Sequence, residues 1–146
     1  MGETKSLNGR QWLLLYVYRH WITGLATSDA RHLEFAWSEI ATTSGPAPAR
    51  RVLSALEVLL GTLSDHARRR ICYHPPCCGV TAADELRVLN LLTSLQRGRR
   101  AAAEANAQVL VRPSGLPSLL EAADNLAEAL SAAGLELDDA GEATLH

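Results

Sequence analysis

Long apolar runs are missing from this sequence of 146 residues. The most apolar aromatic stretch, 12–18, spans seven residues and is followed by Arg19 and His20. A membrane-spanning helix needs about 20 apolar residues, and a secretion signal ends in a small-residue cleavage site that we do not find after this stretch. We therefore expect a cytoplasmic protein with no membrane partner.

Strand patterns are nearly absent as well. Only 70–73 and 108–111 contain strand-like residues, and two short pieces cannot support a sheet core. No internal repeat of fixed period occurs. A chain of this length can bury roughly 68–70% of its unfolded surface in one core. The sequence therefore predicts an all-α protein, a compact bundle of five or six helices.

Apolar residues recur at helical spacing through most of the chain. The predicted helices cover 10–23, 29–43, 49–69, 82–97, 99–110 and 117–133. Around them we expect a flexible N-terminus over 1–9, a single helical domain over 10–134 and an acidic tail over 135–146. The first helix carries aromatic residues on more than one face, so we expect it to be central in the core or half covered by another subunit.

A short segment between two predicted helices, 71–80, contains all three cysteines. Cys72, His74, Cys77 and Cys78 place four metal-binding side chains within seven residues, and the His74-x-x-Cys77 spacing can close on one zinc or iron ion. Adjacent side chains at 77 and 78 seldom aim at one point, so the segment is expected to supply three ligands. A fourth would be a water or a distant histidine, with three candidates: His20, His32 and His66.

Two further interpretations of this segment stay open. Cys77 and Cys78 precede a predicted helix N-terminus, where the dipole favours a thiolate suited to redox chemistry. Alternatively, Cys72 and one of the adjacent pair are small buried hydrophobes in a stretch shaped by Pro75 and Pro76. We favour this structural interpretation, which requires no cofactor, because free cysteine is among the most buried residue types.

Charged motifs elsewhere have structural explanations. The arginines within 68–70 and 97–100 fall at predicted helix C-termini, where cations offset the helix dipole. Nucleic acid is therefore not an expected partner. Thr81 and Asp84 have the form of a capping box, which explains Asp84 and Glu85 better than acid-base catalysis does. We find no nucleophile elbow or glycine-rich phosphate loop, and we predict no catalytic residue.

Some of these features together resemble a known family. The features are Asp29-Ala30, Arg69-Arg70-Ile71, Pro76-Cys77-Cys78, and Thr81 with Asp84-Glu85 before a leucine-rich helix. They are similar to a bacterial family of small proteins classed as a domain of unknown function, in which the threonine lies one residue closer to the acidic pair. The likeness covers residues 10–134. It implies a compact helical protein and supplies no activity or ligand.

The sequence as a whole favours a binding role over catalysis. We predict a non-enzymatic interaction or regulatory module that binds a protein partner, or forms a homodimer through its aromatic first helix. The alternative hypothesis is a metal-binding (Zn or Fe) or thiol redox protein. That alternative would use Cys72, His74, Cys77 and Cys78.

Overall fold

A computed structural model describes residues 7–76 and 78–137 of the chain. The described part is built from α-helices and contains no β-strand beyond one isolated bridge, which confirms the all-α prediction. In chain order the helices are α1 (Gly9–Thr27), α2 (Ala30–Ser44), α3 (Pro46–His66), α4 (Ala83–Gln96), α5 (Arg100–Leu110) and α6 (Leu116–Ala132). A 3₁₀ turn, Pro113–Gly115, leads into α6. None of these helices is long and apolar enough to cross a bilayer.

Side-chain caps begin the first two helices. The Asn8 side chain accepts a hydrogen bond from the Gln11 amide, and the Gln11 side chain accepts one from the Asn8 amide. This reciprocal pair satisfies two amides that the helix itself leaves free. The sequence offers Ser28 or Asp29 as the cap of α2, and the structure selects Asp29, because its carboxylate accepts from the Arg31 amide at 3.0 Å.

The start of α4 differs from the predicted capping box. Its N-cap residue is Ala82, one position after Thr81, so the third helical residue is Glu85 and not Asp84. The Glu85 carboxylate accepts from the Ala82 amide at 2.9 Å, which is half of a capping box. The box predicted from Thr81 and Asp84 is therefore wrong by one residue, and Asp84 is free to bind elsewhere.

The arginine groups also lie outside the helix C-termini that we predicted for them. Helix α3 ends at His66, so 68–70 follow it as non-helical chain. Arg99 is the N-cap residue of α5, and Arg100 begins that helix. Of these arginines only Arg97 caps a helix C-terminus, that of α4. The dipole explanation is therefore wrong for the other five.

The core is formed mainly by α3, α4 and α6, with α1 packed against α2 at one side. The apolar stripe that the sequence predicts along α3 is buried except for the half-buried Leu60, and the matching stripe of α6 is buried. Each leucine removed from water in this way contributes roughly 1.5–3 kcal/mol of transfer free energy. The buried residues of these two stripes include Val52, Leu56, Leu59, Leu63, Leu119, Ala123, Leu126 and Leu130.

A short backbone pairing joins the end of α3 to the end of α5. Ala67 and Val111 form one antiparallel bridge. The Arg68 amide donates to the Leu110 carbonyl at 3.1 Å, and the Arg112 amide donates to the His66 carbonyl at 2.9 Å. The pairing fixes the direction in which the chain leaves α3.

The buried chain continues three residues into the segment predicted as an acidic tail. Leu135 and Leu137 are both buried. The Leu137 amide donates to Gln96 Oε1 at 2.8 Å, and its carbonyl accepts from Asn8 Nδ2 at 2.8 Å. The remainder of the predicted tail, 138–146, and residues 1–6 of the predicted flexible N-terminus lie outside the described residues.

Candidate functional site

Residues 67–82, which we call the connector, carry the chain from α3 to α4 and are held through their backbone. The Cys72 amide donates to the Asp84 carboxylate at 2.8 Å. The His74 amide donates to the Glu85 carboxylate at 3.1 Å. Two adjacent acids in the first turn of α4 therefore fix two alternate amides of the connector.

Arg19 of α1 reaches the other half of the connector. Its Nε and Nη2 atoms donate to the two carboxylate oxygens of Glu85, both at 2.8 Å, and both side chains are buried. The same guanidinium donates to the carbonyls of Cys78 at 2.8 Å and Val80 at 2.9 Å. A planar guanidinium with five donors suits this combination of a bidentate pair and two carbonyls.

Electrostatics keep both acids ionised. Burial raises the pKa of the Glu85 carboxyl, but hydrogen bonds from Arg19 and from two backbone amides outweigh it, so the pKa lies below its usual value. Burial likewise raises the pKa of Asp84, and the bond from Arg69 and the Cys72 amide bring it below its usual value. Arg69 binds Asp84 with two donors at 2.8 and 3.0 Å.

The two described cysteine side chains, those of Cys72 and Cys78, are not buried in the core. Cys72 is exposed and Cys78 is half-buried, and both thiols are free of disulfides. The expectation that Cys72 is a small core residue is therefore wrong. The physical reason is that the connector is held at 72, 74, 78 and 80 by its amides and carbonyls, which bind charged side chains, so the side chains of Cys72 and Cys78 are not needed in the core.

The predicted metal ligands are incompletely placed. Cys77 lies outside the described residues. Within 7–76 and 78–137, no group of three or more histidine, cysteine or acidic side chains is arranged to hold an ion. Of the distant candidates, His20 and His32 bind each other, and His66 packs against Gly115. A site at Cys72, His74, Cys77 and Cys78 therefore stays a prediction.

Two histidines tie α1 to α2. The Nδ1 atoms of His20 and His32 lie 2.8 Å apart, so one ring donates and the other accepts. His20 is buried, stacks on Phe35 and meets the edge of Tyr16. Burial, and then the neighbouring His32, lower the pKa of His20, so the neutral ring is favoured.

An apolar groove of about 540 Å³ runs between α1, α3 and the connector. Leu25 and Tyr73 line it and stay exposed, with 49% and 37% of their surface open to solvent. Other apolar side chains of the lining are Tyr18, Ile22, Leu60, Leu63 and Ile71. The polar side chains of the described lining, apart from the tyrosine hydroxyls, are Ser64 and Arg70.

Tyr18 connects the groove to the ion pair behind it. The residue is 3% exposed, and its hydroxyl has no hydrogen-bond partner within the described chain. Burial, followed by the negative charges of Glu85 and Asp84, raises the pKa of Tyr18. The hydroxyl is therefore a neutral, buried donor without a partner in the described chain.

Sequence reasoning identified the connector and missed the residues that organise it. Arg19 follows a run of apolar and aromatic residues in the sequence, and a single cation in such a run usually lies on the solvent-exposed side of a helix. Its partner Glu85 is 66 positions away in the sequence. No local pattern links the two. The one usable signal was that two acids precede a leucine-rich helix, which we interpreted as capping alone.

No protein-family model, curated protein or solved structure matches the chain. The resemblance over 10–134 is therefore neither supported nor contradicted, and it remains a prediction. The function has to be argued from the geometry of the connector and the groove.

Proposed function

We propose that this chain is a non-enzymatic interaction module that binds an apolar segment of a partner protein in the groove. The observation that carries the proposal is the exposure of Leu25 and Tyr73 on a continuous apolar surface. A partner that covers these side chains removes them from water, which favours association. The volume of about 540 Å³ lies within the usual range for binding clefts, about 300–1,000 Å³.

The walls of the groove favour binding because they are already ordered. Two walls are the helices α1 and α3, and the third is the connector, whose amides are fixed by Asp84 and Glu85. A partner that enters this groove does not have to order the receptor first. Pre-organisation of this kind lowers the entropic cost of association.

Selection from a random peptide library on the full chain tests the proposal. We expect selected peptides to bind through spaced apolar residues, and binding to weaken at least about tenfold in Leu25→Glu and in Tyr73→Glu, because a charge then faces the apolar lining. Fluorescence anisotropy measures the affinity. Val58→Glu is the matched control, since Val58 is 58% exposed and does not line the groove.

Equal binding by wild type, Leu25→Glu and Tyr73→Glu would contradict the proposal. Sedimentation velocity on the chain without peptide tests whether it self-associates through the aromatic first helix. A concentration-dependent dimer that Leu25→Glu abolishes would mean that the occupant of the groove is a second copy. A monomer at all concentrations leaves a different protein as the partner.

The alternative function is a zinc, iron or thiol redox site at Cys72, His74, Cys77 and Cys78. Its support is that the backbone at 72, 74 and 78 is held by three charged side chains, while the thiols of Cys72 and Cys78 form no disulfide. Elemental analysis of protein purified without chelator tests it. One equivalent of metal, with thiols protected from labelling, would favour this alternative; metal-free protein with rapidly labelled thiols would exclude metal binding.

A further inference from the structure

One arginine of the connector differs from its neighbours. Arg68 donates to the Gln108 carbonyl at 2.7 Å, and Arg69 binds Asp84. Arg70 lines the groove, and its guanidinium forms no ion pair within the described residues. The groove therefore has an uncompensated positive charge at its edge.

The nearby acids cannot neutralise Arg70. Asp84 and Glu85 do not line the groove, and they are bound by Arg69 and Arg19. The described lining of the groove contains no carboxylate. Arg70 carries the one charged side chain of the described lining, and the Ser64 and Tyr73 hydroxyls are neutral donors. A guanidinium beside an apolar surface favours an anionic acceptor.

We infer that the partner segment carries an aspartate or glutamate beside its apolar residues, and that this carboxylate pairs with Arg70. The inference rests on the proposed function and names the chemistry of its partner. The guanidinium can hold a carboxylate through two parallel hydrogen bonds. A helix with apolar residues three and four positions apart, and an acid one turn further on, presents both features on one face.

The pair has properties that distinguish it from apolar binding. Arg70 is exposed, so its attraction to a carboxylate is screened by salt, while burial of apolar groups in the same groove is not. The charge therefore contributes orientation and salt-sensitive affinity. The apolar lining contributes the part of the affinity that salt leaves unchanged.

A double-mutant cycle tests the inference, with peptides that bind the groove in the selection described above. We expect these peptides to be enriched in Asp or Glu next to their apolar residues. Changing that acid to its amide should weaken binding to the wild type about two- to fivefold. Arg70→Gln should weaken binding of the parent peptide by the same factor. In this variant, changing the peptide's acid to its amide should have no further effect on affinity. Arg68→Gln removes the same charge two residues away and should leave the acid effect intact.

Three results would overturn the inference. If the selected peptides are not enriched in acids but still bind Leu25→Glu more weakly, the groove is a binding site and the inferred carboxylate is wrong. An acid effect that persists in Arg70→Gln would assign it to another cation. If decanoate displaces non-acidic peptides from the wild type but not from Arg70→Gln, the ligand of the site is a small amphipathic carboxylate and not a protein segment. Loss of all peptide binding to the groove would instead contradict the proposed function itself.

Discussion

Arg19 and Glu85 carry full charges at a place from which water is excluded, since their side chains are 1% and 0% exposed. Taking such charges out of water costs several kcal/mol for each ion, and mutual attraction offsets this only when the geometry is good. Here both carboxylate oxygens and two connector carbonyls are bound by one guanidinium. The pair therefore sets the position of the connector more than it adds net stability.

Removal of one charge should be costly. Glu85→Gln leaves the Arg19 guanidinium buried without its counter-ion, so we expect the free energy of unfolding to fall by about 3–5 kcal/mol. Urea denaturation followed by circular dichroism measures it. Glu128→Gln is the control, because Glu128 is exposed and 3.8 Å from Arg51, and should cost less than about 1 kcal/mol. If both variants lower the free energy of unfolding by a similarly small amount, the buried Arg19 charge does not depend on Glu85 for its stability.

The buried His20 predicts a pH dependence of stability. Its pKa in the folded chain is lowered, so the neutral ring is favoured by folding. This contribution is complete above the unfolded pKa of about 6.5 and is lost as the pH falls through the folded pKa. We expect the free energy of unfolding of the wild type to decrease from pH 7.5 to 5.5. The decrease should be smaller in His20→Asn, and an unchanged slope in that variant would assign the titration to another group.

At the scale of elements, close packing between the end of α3 and the 3₁₀ turn restricts one glycine. Gly115 is buried against His66, the last residue of α3, and a Cβ atom added to it would overlap Cβ and Cγ of His66. Gly61, also in α3, is exposed and has no atom within 4 Å of such a Cβ. The two positions therefore respond in opposite directions to one substitution.

Gly115→Ala should destabilise the chain by about 1–3 kcal/mol, because the overlap involves atoms close to the His66 backbone and cannot be relieved by a flexible end. Gly61→Ala should stabilise it by about 0.5–1 kcal/mol, because alanine loses less freedom in a helix. Calorimetry reports both as shifts in Tm. A stabilising shift in Gly115→Ala would mean that α3 and the turn are less closely packed than described, and a destabilising shift in Gly61→Ala would contradict the open space around Gly61.

The helices were predictable because their signals are local. The α3 stripe from Val52 to Leu63 repeats at helical spacing, and Asp29 precedes α2 at capping distance, so short windows of sequence suffice. The connector was not predictable in the same way. Its form depends on Arg19 and Glu85, which are 66 positions apart, and on backbone amides that every non-proline residue carries. Residue type at 72 and 78 therefore says little about burial there.

At the scale of the whole molecule, charge and apolar surface are distributed unevenly. Acidic residues near the connector are matched by arginines from α1 and from the connector itself, whereas the groove in front of them retains one unmatched arginine. Sequence totals could not predict this, because a net charge of −2 conceals where each charge is neutralised. The groove too arises only when α1, α3 and the connector meet.

Because the connector is fixed through amides and carbonyls, its path does not depend on which side chains it carries at 72, 73, 74 and 78. Mutations at these positions can therefore alter what the loop displays without disturbing the bundle beneath it. Architecture and recognition are set by separate parts of the same segment. Such a chain is suited to acquiring new specificities by drift at the loop, and to serving as a scaffold on which short loop sequences are exchanged.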